Sequence, residues 1–264
     1  MTRPCILWLI MAAGAVAHGP LHEQIATATA QVRREPQNAR LYFKRAELHR
    51  HHGDFQAARA DYEKALALDE SLAETELGLG RILLAEEQPE KALEALHRYV
   101  ALRPEDGEGL AARAEALEKT RNFALAARDL DRAIRIADKP AVELYLAAAR
   151  AWREAGEPQI ALASLKEASD RFGPLVTVDL AGIELERRLA LFDDALSRID
   201  RILSQAPRKE TWLVRKAEIL REAGREQQAR EALQHALRAI EALPVHLRNT
   251  RSMLELEKQA RGAL

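Results

Sequence analysis

Small residues recur along this chain with the period of paired amphipathic helices. From Ala39 to Leu72, apolar residues fall on one face of each of two predicted helices, and Gly53 and Asp54 predict a tight turn between them. An alanine then recurs at a nearly constant spacing, at Ala58, Ala92, Ala126, Ala161, Ala195 and Ala229. Such a period is the signature of a repeat protein in which each unit packs on its neighbours.

Two further positions keep the same period. They are occupied by Ala65, Tyr99, Ala133, Ala168, Ile202 and Ala236, and by Ala46, Gly80, Ala114, Ala149, Ile183 and Ala217. Small residues there let two helices cross closely, because a large side chain would cost about 1–3 kcal/mol through overpacking. The fifth unit departs from the pattern at Asp179, Ile183 and Ile202, so we expect locally shifted helix packing there.

The unit resembles the tetratricopeptide repeat (TPR), a helix–turn–helix motif whose length matches the period. The first unit shows this best, through Tyr42, Ala46, Gly53-Asp54-Phe55, Ala58, Tyr62 and Ala65. The resemblance implies an all-α fold, a right-handed α-solenoid of about six TPR-like helix pairs. The pairs are expected at residues 39–72, 73–106, 107–140, 142–175, 176–209 and 210–243. We expect an extra helix at each end, from Glu23 to Glu35 in a leader and capping segment (18–38) and in a C-terminal cap (244–264).

The segment from Met1 to Ala17 predicts a secretory signal peptide. Arg3 gives a positive start, an apolar run extends from Cys5 to Ala17, and its end, Ala15-Val16-Ala17, matches a cleavage signal. The run is shorter than the ~20 residues that span a bilayer. We therefore expect cleavage after Ala17, a periplasmic or secreted location and no membrane span in the mature chain. An uncleaved anchor is the alternative.

Composition and motifs argue against several functions. The balance of 40 basic and 41 acidic residues gives no field that favours nucleic acid. Cleavage would remove Cys5, the single cysteine, so the mature chain would have no thiol for a disulfide, a metal or a nucleophile. The chain contains no glycine-rich phosphate loop and no HExxH, GxSxG or CxxC motif. We therefore expect no catalytic activity and no cofactor.

The resemblance to the TPR implies a concave groove lined by the first helices of the units. The candidate partner-binding residues are Phe43, Lys44, Glu47, Arg50, Arg81, Arg150, Arg153, Arg187 and Arg188. Phe43 stands where folding of the unit is not expected to require an aromatic, and an aromatic beside arginine is typical of interface anchors. The small residues Gly78, Ala112, Ala147 and Ala181 predict room for an extended segment or a helix. A merely solvated charged face is the alternative.

These observations predict an exported scaffold that binds other envelope or secreted proteins, or peptides. An alternative function arises from the histidines, because five of the eight lie between His18 and His52. Cleavage would give His18 an α-amino group beside its imidazole, and His22 follows four residues later. The alternative is therefore an extracytoplasmic metal-binding protein that uses His18 and His22. Gly19-Pro20 is expected to prevent these two from pairing on one helix turn.

Overall fold

The computed structural model describes residues 19–264, and these residues form helices and no strand. The predicted signal peptide and His18 lie outside the described residues. The helices belong to two compact units that meet in the sequence at Asn122 and Phe123. Unit 1 is the part up to Asn122, and unit 2 is the part from Phe123 onward.

Six helices make up the described part of unit 1. They are α1 (Gly19–Arg34), α2 (Ala39–His52), α3 (Phe55–Leu68), α4 (Ala73–Ala85), α5 (Pro89–Leu102) and α6 (Gly107–Lys119). Each helix packs on the next, and the first helices α2, α4 and α6 also contact one another in order. Helix α1 begins at Gly19 and therefore earlier than the expected Glu23. Pro20 is accommodated because the N–H groups of a first turn have no helical partner.

Nine helices make up unit 2. They are α7 (Phe123–Ile136), α8 (Val142–Glu154), α9 (Pro158–Phe172), α10 (Val176–Arg188), α11 (Phe192–Gln205), α12 (Glu210–Glu222), α13 (Glu226–Glu241), α14 (Val245–Arg248) and α15 (Arg251–Gly262). The pairs α8–α9, α10–α11 and α12–α13 repeat the arrangement of unit 1, and α15 packs on α13 and α12. The prediction of an all-α fold of repeated helix pairs is confirmed.

The periodic alanines form the closest helix crossings. The six alanines of the first column, Ala58 to Ala229, are each 0% exposed. On the facing helix, a Cβ added to Gly80 would lie 2.6 Å from Cγ of Leu96. Small residues are needed here because the neighbouring side chain already fills the space.

The turn inside each helix pair uses one left-handed residue. The positions are Gly53, Glu87, Arg121, Gly156, Ala190 and Gly224, with φ between 56° and 84°. Each donates its N–H to the carbonyl three residues back, and the next residue donates to the carbonyl five residues back, as in Asp54 N to His49 O at 2.9 Å. These two bonds define a Schellman motif, which satisfies the last carbonyls of the first helix. The turn residues recur with the same spacing as the alanines of the first column.

The fifth pair holds a buried ionic cluster where its sequence departs from the repeat pattern. Asp179 and Glu186 of α10 are 2% and 4% exposed. Nε of Arg198 on α11 donates to Glu186 at 2.7 Å, and Nε of Arg201 donates to Asp179 at 3.1 Å. Gly182 lies directly beneath the Arg198 side chain, where a Cβ would collide with it. The buried negative charge of Asp179 at a core position is therefore compensated by arginines from the paired helix.

Candidate partner-binding faces

We call the exposed surface of the first helices α2, α4 and α6 the first-helix face of unit 1, and that of α8, α10 and α12 the first-helix face of unit 2. The face of unit 1 contains a hydrogen-bonded group on α2. Arg50 Nη2 donates to Glu47 Oε2 at 2.8 Å, and the hydroxyl of Tyr62 on α3 donates to Glu47 as well. Burial raises the pKa of Glu47, but the bonds from Arg50 and Tyr62 outweigh it and hold the pKa below its usual value. Burial, followed by the bond to Glu47, raises the pKa of Tyr62. Glu47 is therefore a fixed negative charge at neutral pH.

Arg81 connects two first helices of unit 1. Its guanidinium on α4 forms an ion pair with Glu108 at the start of α6. The Glu108 side chain is 65% exposed, so the pair is accessible to a partner. Lys44 on α2 is also exposed, and no ion pair joins it to the residues that the structure describes.

Phe43 has a packing role that the sequence did not reveal. Its half-buried ring packs against a cluster of Ala39, Ala65 and Leu72, and its centroid lies 6.1 Å from that of Tyr62. An aromatic residue at position 43 therefore does contribute to the packing of the unit, contrary to the expectation from its repeat position. The partner contact predicted for Phe43 therefore depends on the exposed part of its ring alone.

The expected row of small groove residues is also partly wrong. Gly78 is buried beneath the ring of Tyr62, and a Cβ there would collide with that ring. Ala112 is buried as well, whereas Ala147 and Ala181 are half-buried. Gly78 serves the contact between α3 and α4 and leaves no open space for a ligand.

The first-helix face of unit 2 carries the remaining predicted arginines. Arg187 on α10 donates through Nε to Glu222 Oε2 on α12 at 2.9 Å and forms a second bond through Nη2. The Arg187 guanidinium holds the pKa of Glu222 below its usual value. This pair crosses between neighbouring first helices, as Arg81 and Glu108 do in unit 1.

Two other arginines of this face, Arg188 and Arg153, pair with acidic residues of their own helices. Arg188 Nε lies 3.0 Å from Glu184 Oε1, and Arg153 Nη2 lies 2.7 Å from Glu154 Oε1. Arg150 is exposed. Each first-helix face therefore presents alternating charges, most of them compensated by a neighbour.

The histidines of α1 and α2 are divided between two environments. His49 Nδ1 lies 3.7 Å from Asp54 Oδ2, and His51 Nε2 lies 3.2 Å from Arg50 Nη2. His22 and His52 instead meet edge to face, with ring centroids 4.5 Å apart. Among residues 19–264 no group of three or more histidine, cysteine or acidic side chains is arranged to hold a metal. His18 is outside the described residues, so its predicted pairing with His22 stays a prediction.

Comparison with protein families decides the identity of the repeat. Two family models, each described as tetratricopeptide repeat, match residues 49–116 and residues 22–73 and 180–244. Together they cover more than half of the chain.

The chain belongs to the tetratricopeptide repeat family. Among curated protein sequences, no significant match to the chain was found.

Solved structures share the TPR fold at low sequence identity. The C-terminal part of a TPR protein from Cytophaga hutchinsonii has a TM-score of 0.71 at 13% identity, covering 89% of this chain and 94% of that one. A TPR protein from Parabacteroides merdae has a TM-score of 0.56 at 18% identity, covering 93% and 94%. PilW, a type IV pilus biogenesis factor, has a TM-score of 0.56 at 18% identity, covering 70% and 86%. At these identities the similarity concerns the fold.

Clefts between successive second helices occur within each unit, and the sequence reasoning missed them. One of about 580 Å³ lies between α3 and α5, and two of about 490 Å³ lie between α7 and α9 and between α11 and α13. Their linings include Glu76, Tyr145 and Leu213, which occupy the same position of their repeats. The sequence signal was the variable size of the residue at this position.

Within residues 19–264, no helix combines the length and apolar character needed to cross a bilayer.

Proposed function

We propose that this protein is an exported TPR scaffold that binds other envelope or secreted proteins, or peptides, through its first-helix faces. The observation that carries the proposal is the Arg81–Glu108 pair, together with its counterpart Arg187–Glu222 in unit 2. In both units, partly exposed charges from successive first helices lie together on one face. A repeat protein gains such an extended surface from stacking, without any single deep pocket.

The charges on these faces suit recognition better than catalysis. Most are paired with a neighbour, and the described part of the chain has no group of three or more histidine, cysteine or acidic side chains that converge as metal ligands. A partner with a complementary row of charges can share these pairs, and such complementarity fixes register and rejects wrong partners. The family supports the same proposal, because helical repeats present extended surfaces for binding. We therefore propose no catalytic activity and no cofactor.

The exported setting follows from the predicted signal peptide. Residues 1–17 combine a positive start, an apolar run and a cleavage site after Ala17. The partners proposed are therefore proteins or peptides of the periplasm or the secreted fraction, and nucleic acid is not among them.

Photo-cross-linking in cells of the source organism tests this function. A photoreactive amino acid is placed at Lys44 or Arg188 on the first-helix faces, and at Lys166 on α9 as the matched control. Lys166 is a highly exposed residue of a second helix. We expect discrete cross-linked products from positions 44 and 188 and none from position 166. Deleting residues 2–17 should abolish these products, since the protein would not reach its partners.

Charge reversal gives the second part of the test. Once a cross-linked partner is purified, Arg188→Glu should weaken its binding by about fivefold or more, and Lys166→Glu should leave it unchanged. Products from position 166 with none from 44 or 188 would show that the second-helix face binds instead. Products that persist without residues 2–17 would contradict the exported setting alone.

A further inference from the structure

The start of α1 and the end of α2 bring two histidines together. The helices follow each other through a short turn at residues 35–38 and pack side by side, so the fourth residue of α1 meets the last residue of α2. The rings of His22 and His52 are 4.5 Å apart between centroids, with planes at 88°. Both residues are exposed, so solvent and ions reach them.

The neighbouring histidines have other interactions. His49 is directed at Asp54, the residue that caps α3 by accepting the Ala57 N–H at 3.1 Å. His51 lies near Arg50 and is 3.9 Å from Glu47. The pair of His22 and His52 is therefore a separate feature and not part of a general histidine cluster.

The separation of the two rings matches that of two imidazoles on one metal ion. With metal–nitrogen distances of about 2.1 Å, adjacent ligands place their ring centroids roughly 4.5–5.3 Å apart, the shorter value for a right angle at the metal and the longer one for a tetrahedral angle. The terminal torsion of histidine is broad, so small rotations can direct one nitrogen of each ring at a common point. The two imidazole rings therefore already lie close to the separation that chelation requires.

We propose that His22 and His52 bind one divalent transition-metal ion of the kind that prefers imidazole, such as Zn²⁺. Imidazole suits zinc, copper and nickel, whereas calcium and magnesium prefer oxygen ligands. The described residues supply no converging group of three ligands, so water or an external donor completes the coordination.

Metal binding would fasten α1 to the first repeat. Among the described side chains of α1, only Ala28 and Val32 are buried, and Thr29 reaches Arg45 of α2 with a long contact of 3.4 Å. A metal held by both helices binds the docked arrangement and not the separated one. By mass action it therefore stabilises the docking of α1.

Calorimetric titration of the untagged full chain with ZnCl₂ tests the site. Every variant carries Cys5→Ser, which removes the one thiol. We expect one saturable site, and His22→Ala or His52→Ala should weaken it by about tenfold or more, since even outer-shell losses have effects of this size. The matched controls His51→Ala and His246→Ala should stay within about twofold of the parent. Zinc should slow amide exchange in α1 of the parent but not of His52→Ala.

Four results would overturn the proposal. The first is that the parent shows no saturable zinc binding, and the second is that His22→Ala and His52→Ala keep a zinc affinity close to that of the parent. The third is that His51→Ala loses as much zinc affinity as these two variants. The fourth is that mixing the two single variants restores tight binding, which would show that zinc bridges two copies of the chain. His18→Ala separates this site from one formed by His18 and His22, because it should leave zinc binding by His22 and His52 intact.

Discussion

A single residue with positive φ closes the turn of each helix pair. Glycine adopts this conformation without strain, as at Gly53, Gly156 and Gly224. Glu87, Arg121 and Ala190 adopt it at a cost of about 1–2 kcal/mol each, because their Cβ approaches the following carbonyl. A Cβ added at any of the three glycines would have no atom within 4 Å, so the cost is one of backbone conformation alone.

Replacing Ala190 by glycine should therefore stabilise the protein. The relief of strain exceeds the added freedom of the unfolded chain, and we expect a gain of about 0.5–1 kcal/mol in the free energy of unfolding. The same replacement at exposed Ala163, inside helix α9, should cost about 1 kcal/mol. Urea denaturation of both variants checks the prediction, and a loss of stability in Ala190→Gly would contradict it.

At the scale of helices, pairs are joined by polar contacts between two fixed positions of the repeat. Arg98 Nε on α5 donates to Glu76 Oε1 on α4 at 2.6 Å, and Arg201 contacts Asp179 in the same way. The hydroxyl of Tyr145 on α8 donates to Glu167 at 3.2 Å across the equivalent positions. In the first two of these contacts, a buried charge on the first helix is thus matched by a charge on the second.

Removing one partner should have unequal effects. Arg98→Ala leaves Glu76, whose side chain is 7% exposed, without its charge partner, and should cost about 1–3 kcal/mol. Glu76→Leu leaves Arg98, which is 55% exposed and can turn to water, and should cost less than about 1 kcal/mol. Leucine already occupies this repeat position at Leu110 and Leu213. Chemical denaturation that ranked Glu76→Leu as the worse variant would contradict the argument.

The periodic small residues were sufficient to predict the helix pairs, whereas the roles of the polar residues were not predictable in the same way. The repeat position alone does not reveal the roles of Asp179 and Gly78. Arg201 donates a hydrogen bond to Asp179, and the Tyr62 ring covers Gly78. Such contacts depend on which side chain the paired helix presents, and a pattern of residue sizes does not contain that information. The packing of Phe43 against Ala39, Ala65 and Leu72 is not predictable for the same reason.

For the whole molecule, stability in acid depends on carboxylates whose pKa values folding shifts in opposite directions. The pKa of Glu47 is lowered in the folded protein, so its contribution is present above the usual value of 4.5 and is lost as pH falls through the folded value. Burial raises the pKa of Asp131, which accepts a bond from Trp152 Nε1 at 3.0 Å. Its charge therefore opposes folding at neutral pH, and protonation relieves this as pH falls.

Two isosteric variants should shift the pH profile in opposite directions. Glu47→Gln should be less stable than the parent at pH 7, and the difference should shrink as pH falls below about 4.5. Asp131→Asn should be more stable at pH 7, because the amide oxygen still accepts from Trp152, and this gain should vanish below about pH 4. Thermal melts across this range measure both. Parallel profiles for the two variants would contradict the assigned pKa directions.

The ion pairs between successive first helices have a kinetic consequence. In the Arg81–Glu108 pair, and likewise in the Arg187–Glu222 pair, the two opposite charges cancel each other's electric field at distances greater than their own separation. A partner approaching through solution therefore meets little net potential, and its association stays near the unsteered rate of about 10⁵–10⁶ M⁻¹s⁻¹. The charges act only at contact, when the partner is close enough to exchange bonds with them. Selection among partners then takes place in how long a complex lasts, and salt changes the rate of encounter very little.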